Sequence, residues 1–422
     1  MRRGIARAVA IGTVVATCGL GPTPFTVRAE EPDPTQELIA TPDRDAPTDE
    51  PSESPGEGTS VCPETPESPD GLPVPAPAGP ADLARARELT ASLHEVHRFA
   101  TGAGVTIAII DTGITPHPLL PPLTDAGTYL EEPYSATGAL VDCEGHGTAV
   151  ASVIGLRPAP GASPRRSPVG VAPDAHIIAI KQSHTSQGGT LDSLGDAINH
   201  ALDLGADVIN LSVSSCFPAT TTLAPGVLQE AVTRAEREGT VIVAAAGNIS
   251  TNCPAESVSY PAHLPTVIAV SALDDAHHIA PYSLPLAGKR ALGAPGDAPI
   301  SASVSGAGYS TSTNITEFRG TSFAAPVITG FVALLKQRHP EASPQELREM
   351  VYTAAQPVTG TLNVRAGIDM LRPTPLPGRE APHVSPAHTE TGDRSWWPLS
   401  GLVISTLLGI IVRAGSHRPR SQ

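Results

Sequence analysis

Four polar residues far apart in this 422-residue chain have the types needed for chemistry at a carbonyl: Asp111, His146, Asn248 and Ser322. Ser322 lies in Gly320-Thr321-Ser322-Phe323-Ala324-Ala325-Pro326, a small-residue turn that enters the apolar segment from Val327 to Leu335, which places it at a helix start. The first N–H groups of a helix have no internal partner and carry the positive end of its dipole. A hydroxyl that acts as a nucleophile and then faces an oxyanion gains from those donors. A lone serine at such a place is ordinarily a cap, so the other three residues decide. Asp111 lies in Ile110-Asp111-Thr112-Gly113, His146 in Gly145-His146-Gly147-Thr148, and Asn248 in Ala245-Ala246-Gly247-Asn248. Singly these read as a capped turn, a helix start and a strand end. Together they describe a proton-passing row. His146 would take the proton of Ser322 as the oxygen attacks a peptide carbonyl and return it to the leaving amine. Asp111 would hold the imidazole in the right tautomer. The Ser322 N–H and the Asn248 amide would then hold the oxyanion.

Such a row needs elements that bring distant residues to one edge. Compact apolar runs from Val105 to Ile110, Ile177 to Ile180, Asp207 to Ser212, Thr240 to Ala245 and Thr266 to Val270 predict buried strands. Helical patterns alternate with them: His146 to Ile154, Leu191 to Leu204, Pro225 to Arg237, Ser322 to Arg338 and Ser343 to Ala354. The alternation predicts an α/β fold, a mainly parallel central sheet with helices on both faces. Working residues of such a sheet gather at the carboxyl ends of its strands, where Asp111 and Asn248 fall.

The flanks differ from this middle. Residues 1–29 read as a signal peptide, with Arg2 and Arg3 before an apolar run and Val27-Arg28-Ala29 as the cleavage site; Cys18 offers a lipoprotein alternative. Residues 30–80 form an acidic, Pro-rich arm expected to be disordered. Between 30 and 70 it holds 13 acidic residues and one Arg, a net −12 of the chain's −15. The remaining charge of −3 gives no basis for nucleic-acid binding. Residues 81–372 are the expected folded domain, followed by a Pro-rich linker at 373–395. Trp396 and Trp397 then precede the uncharged run Pro398 to Val412, which predicts a transmembrane helix over 396–413 with a basic cytoplasmic tail at 414–422. The chain is therefore expected in the cell membrane, crossing once, with its folded domain outside.

After removal of Cys18 four cysteines remain, an even number in an exported chain. Cys216 and Cys253 each follow a predicted strand, and neighbouring parallel strands would bring their loops together. Cys62 is then left for Cys143, which would pin the arm beside the loop carrying His146. Asp174, Asp192, Asp196 and Asp207 are spread over different elements with no loop supplying several oxygens together, and His176, His184 and His200 lack metal-ligand spacing, so no metal is expected.

On Asp111, His146 and Ser322, in that order, the chain resembles the subtilisin-like serine proteases over roughly residues 95 to 370. Ala100-Thr101-Gly102, Val171-Ala172-Pro173, Ser259-Tyr260-Pro261-Ala262 and Ala294-Pro295-Gly296 carry the same resemblance. It is similar above all to the mycosins, membrane-anchored members that accompany actinobacterial type VII secretion systems, through Asp142-Cys143-Glu144-Gly145-His146-Gly147-Thr148, Lys181-Gln182-Ser183, the paired cysteines and the terminal apolar run. The resemblance implies a subtilisin-like fold and an endopeptidase with few protein or peptide substrates and no cofactor, working beside a type VII secretion membrane complex that such proteins also support structurally. A structural component with a rarely used site and a general secreted degradative protease are the alternatives. Where many relatives have Ser-Leu-Gly-Gly, this chain has Ser212-Val213-Ser214-Ser215-Cys216; Ser212, Val213 and Ser214 are expected to pair with substrate backbone. A folding pro-domain is not expected in the arm, which lacks the apolar residues for a core.

Overall fold

The computed structural model describes residues 76–372 apart from 132–137, 164–166, 185–187, 225, 287, 312–317, 357–359 and 362–363. The chain opens with β1 (Ala76–Pro77), α1 (Pro80–Thr90) and α2 (Leu93–Val96), then β2 (Thr106–Asp111), β3 (Leu123–Thr128), α3 (His146–Gly155) and β4 (His176–Lys181). Its middle carries α4 (Leu191–Asp203), β5 (Val208–Leu211), β6 (Ser215–Pro218), α5 (Val227–Glu238), β7 (Val241–Ala245), β8 (Ser257–Tyr260) and β9 (Ile268–Leu273). Then come β10 (Ala291–Pro295), β11 (Ser301–Ala302), β12 (Tyr309–Thr311), α6 (Thr321–Arg338), α7 (Pro344–Ala354) and α8 (Val364–Leu371).

Seven strands form the central sheet in the order β10-β9-β7-β5-β2-β4-β3, and every pairing in it is parallel. A parallel sheet needs cover on both faces, and β2 shows how its sequence meets that need. Ile107 and Ile109 join one apolar cluster with Val150 and Ile154 of α3 and Ile328 and Leu335 of α6. Ala108 and Ile110 point the other way, to Leu194 and Ile198 of α4 and Leu228 and Val232 of α5. All four strand residues are fully buried, so alternation of side chains across one strand defines a three-layer molecule. From β2 the chain passes to the edge strand β3, returns through α3 to β4 beside β2, and then crosses to β5 on the other side of β2. That reversal opens the crevice at the strands' carboxyl ends, between Asp111 and Ser212.

The five strands and five helices read from the sequence fall on observed elements, the largest shift being the end of β9, at Leu273 rather than Val270. The sheet's two edge strands, β3 and β10, carry no such signal: Leu-Thr-Asp-Ala-Gly-Thr is half polar because one side of an edge strand faces solvent, and Ala-Leu-Gly-Ala-Pro is built of small residues. One boundary moves. The expected structureless arm ended at residue 80, yet Ala76 and Pro77 already pair antiparallel with Thr311 and Ser310 of β12. Pro77 lacks an N–H but stands at an edge, where the ladder tolerates it. Helix α1 is then tied down by Arg85, which donates to Asp275 and Asp297. Among the described residues no helix is long and apolar enough to cross a membrane. The signal segment, the acidic arm up to residue 75, the linker and the Trp-flanked run at 396–413 lie outside the described residues.

Candidate active site

The carboxyl end of β2 delivers Asp111, which is fully buried. Its Oδ1 receives two donors: the backbone N–H of Thr112 at 2.8 Å and the His146 Nδ1–H at 2.7 Å. Holding that proton on Nδ1 leaves Nε2 as the basic nitrogen of the neutral ring. His146 opens α3, with its side chain one-fifth exposed. Burial pulls its imidazole pKa down, but the charge and hydrogen bond of Asp111, joined by the charges of Asp142 and Glu144, outweigh it and hold the group above its ordinary value. Helix α3 reaches Asp111 only because residue 147 is glycine: a Cβ there would lie 2.0 Å from the Gly113 carbonyl oxygen and 3.1 Å from Asp111 Oδ1.

A second buried carboxylate, Asp142, builds this turn, a role that was not among those expected from the sequence. Its Oδ1 accepts from the Thr112 hydroxyl at 2.9 Å and from the N–H groups of Gly145 at 2.9 Å and Glu144 at 3.3 Å. Its Oδ2 accepts from the Thr148 N–H at 2.8 Å and the Thr148 hydroxyl at 2.6 Å. Burial pushes this carboxyl up; the Thr148 hydrogen bonds oppose that shift, and the neighbouring Asp111 charge adds to it. Asp142 therefore caps the start of α3 and ties it to the residue after Asp111. Its spacing, four residues before His146, was the available signal.

Ser322 is the second residue of α6 and is half-buried. Its neighbour Phe323 lays an aromatic ring against His146, 5.2 Å between centroids and tilted 54°, so the structure brings the serine's helix to the imidazole. The hydroxyl itself rests elsewhere. Ser322 Oγ donates to the backbone carbonyl of Ser212 at 3.2 Å, where the sequence reading had it bonded towards His146. The reason is the extended segment after β5, which lies alongside the first turn of α6. Nucleophile to base hydrogen bonds form and tighten when substrate binds, so the resting contact with Ser212 leaves His146 its role as base.

Asn248 lies beyond the end of β7. Its Oδ1 accepts from the Thr321 N–H at 3.0 Å and the Thr321 hydroxyl at 3.2 Å, while that hydroxyl accepts from the Gly247 N–H at 3.2 Å. With the oxygen held at Thr321, Nδ2 lies over Gly320, where an added Cβ would come within 2.9 Å of it. The amide therefore flanks the first turn of α6 at Gly320 and Thr321. Ser212 and Val213 are buried and Ser214 is half-buried, on the segment that joins β5 to β6.

Cys216 and Cys253 form a disulfide with Cα atoms 5.4 Å apart. Cys143 is disulfide-bonded too; Cys62, the partner expected for it, lies outside the described residues. Among the described residues no group of three or more His, Cys, Asp or Glu is placed to hold a metal ion. Asp207 accepts from the Thr106 N–H at 2.9 Å and His176 meets the Thr124 hydroxyl at 2.8 Å, both structural contacts.

Residues 102–372 match the family model described as the Subtilase family. Mycosin-1 of Mycolicibacterium smegmatis is 31% identical over 320 residues, covering 65% of this chain and 69% of that protein. Subtilisin Savinase of Lederbergia lenta is 34% identical over 266 residues, covering 63% and 88%. Among solved structures, that of MycP1 with the N-terminal propeptide removed superposes with a TM-score of 0.58 at 29% identity, over 67% of this chain and 96% of that one. A chain in the periplasmic assembly from the ESX-5 inner membrane complex superposes with a TM-score of 0.58 at 28% identity, over 70% and 87%.

Proposed function

The chain belongs to the subtilase family of serine endopeptidases, and from that premise we propose that it cleaves peptide bonds through Asp111, His146 and Ser322, with Asn248 in the oxyanion hole. The bond from His146 Nδ1 to the buried Asp111 carboxylate is the observation that carries this reading. In the reaction, Ser322 Oγ rotates to His146 Nε2, loses its proton there and attacks the scissile carbonyl carbon. The developing O⁻ is held by the Ser322 N–H in the first turn of α6 and by Asn248 Nδ2, whose other end is fixed by Thr321. The His146 proton then passes to the leaving nitrogen and the C–N bond breaks. A water deprotonated by the same Nε2 hydrolyses the acyl-serine, returning the proton to Oγ. Substrate backbone pairing along Ser212, Val213 and Ser214 would engage the Ser212 carbonyl, the acceptor that holds the resting Ser322 hydroxyl. Substrate entry and release of the nucleophile are thereby coupled.

The likeness to mycosins and to a chain of an ESX-5 inner membrane complex supports a finer reading: a membrane-anchored, extracytoplasmic processing protease working on specific substrates beside a type VII secretion complex. The same likeness favours a structural contribution to that complex as the second reading. Purified full-length protein and Ser322→Ala are compared for labelling by a serine-directed peptide phosphonate and for cleavage of a peptide library. Labelling and cleavage by the wild type alone are expected. Equal labelling of both rejects Ser322 as nucleophile, and a folded wild type inert in both assays leaves the structural reading in its place.

A further inference from the structure

In an α-helix the N–H of residue i+4 donates to the carbonyl of residue i. Four residues beyond Ser322 in α6 stands Pro326, which has no N–H to give. The Ser322 carbonyl thus loses its intrahelical donor, and a buried carbonyl without one is costly. Ser212 fills the gap: its hydroxyl donates to the Ser322 carbonyl oxygen at 2.8 Å. The direction of that hydroxyl is set from behind. Asn210 Nδ2 donates to Ser212 Oγ at 3.0 Å, and Asn210 Oδ1 accepts from the Thr329 hydroxyl at 2.8 Å. Asn210 and Thr329 are fully buried and Ser212 is 3% exposed.

We propose that Ser212 is the positioning residue of the nucleophile, its hydroxyl standing in for the helix donor that Pro326 lacks. The bond fixes ψ at Ser322 and hence the direction in which Cα–Cβ presents Oγ. It also registers α6 to the sheet. Asn210 belongs to β5, the hydrogen-bonded neighbour of β2, with Leu211 opposite Ile110, the residue before Asp111. One edge of the sheet therefore sets both Asp111 and Ser322. This role is distinct from substrate pairing, which uses the Ser212 carbonyl, and it rests on Ser322 being the nucleophile.

The test is a double-mutant cycle on the full chain with Ser212→Ala and Pro326→Ala, since alanine at 326 restores the N–H at i+4 and makes the Ser212 hydroxyl dispensable. Phosphonate labelling rate, kcat and KM on a cleaved peptide, and thermal melting are measured for all four proteins. Ser212→Ala alone is expected to lower kcat about tenfold with KM within about twofold, because a neutral hydrogen bond is lost and the carbonyl that pairs with substrate remains. In the Pro326→Ala background the same substitution should change kcat by less than about threefold. An equal loss in both backgrounds, or a loss carried by KM, overturns the proposal. Where Ser212→Ala melts too low to assay, the pair Pro326→Ala and Ser212→Ala/Pro326→Ala decides by the same criterion. A folded wild type that takes no label overturns instead the nucleophile assignment beneath it.

Discussion

Asp111→Asn isolates a charge without disturbing a geometry. Both donors to the Asp111 carboxylate, the Thr112 N–H and His146 Nδ1–H, converge on Oδ1, so an asparagine oxygen in that place keeps both. The flipped amide would set an NH₂ against the Thr112 N–H, which excludes it. Imidazole orientation and tautomer therefore survive, and what disappears is the negative charge facing the imidazolium. With about 4 Å between charge centres and an effective dielectric of about 20, that charge is worth about 4 kcal/mol. At about 1.36 kcal/mol per decade the substitution should lower kcat about 1,000-fold. The pH profile gives the sign. Asp111 helps hold the His146 pKa above its ordinary value, so the acidic limb of kcat/KM, lost as His146 protonates, should move to lower pH in the variant. Asp142 and Glu144 remain, so part of the elevation persists. A loss under about tenfold with an unmoved acidic limb would refute the reasoning, because His146 would then not feel the carboxylate.

Gly147→Ala should abolish phosphonate labelling, because its Cβ would fall 2.0 Å from the Gly113 carbonyl and force α3 away from Asp111; labelling within threefold of wild type would contradict the packing. Cys216→Ala/Cys253→Ala opens a loop with a sequence separation of 37, worth about 4 kcal/mol on the chain-entropy relation. Its urea midpoint should drop sharply while kcat at 25 °C holds. Lys289 donates to the carbonyls of Ala262 and Leu264, and burial, reinforced by the charge of Arg348, pulls its pKa down to about 7. The unfolded chain binds the extra proton between about 7 and about 10.4, so this group makes stability rise with pH across that window, with its full cost present below it. Lys289→Met should flatten the slope of unfolding free energy between pH 7 and 10.

The central strands were legible because burial on both faces forces them to be apolar throughout: Ile107, Ile109 and Ile110 need no partner to announce a strand. The edges were not. Leu123 to Thr128 is held by β4 on one side alone, so its sequence keeps Thr124, Asp125 and Thr128 and reads as loop. Helix α1 drew no expectation, because what fixes it lies far along the chain: Ala86 and Leu83 pack against the main apolar cluster and Arg85 reaches Asp297, contacts that no local pattern encodes. The two-residue β1 has even less local content, being defined by the edge of β12.

The site divides along the same physical line. Asp111, His146, Asn248 and Ser322 could be named because each sits in a short segment whose small neighbours have a local reason, such as Gly147 under the approach to Asp111. Asp142 and Asn210 could not, since their roles are relations between elements: one carboxylate spanning Thr112 and Thr148, one amide spanning Ser212 and Thr329. Pro326 shows the difference within a single residue. Read along the chain it is a helix interruption six residues past Gly320, a local cost. In the fold the same missing N–H is what turns the Ser322 carbonyl outward to Ser212, so the defect in one element becomes the contact that joins it to the next. Nucleophile placement thus depends less on the helix that carries Ser322 than on the strand end it is fastened to, which is why shortening or bulging the segment after Leu211 should impair labelling of Ser322 even with α6 intact.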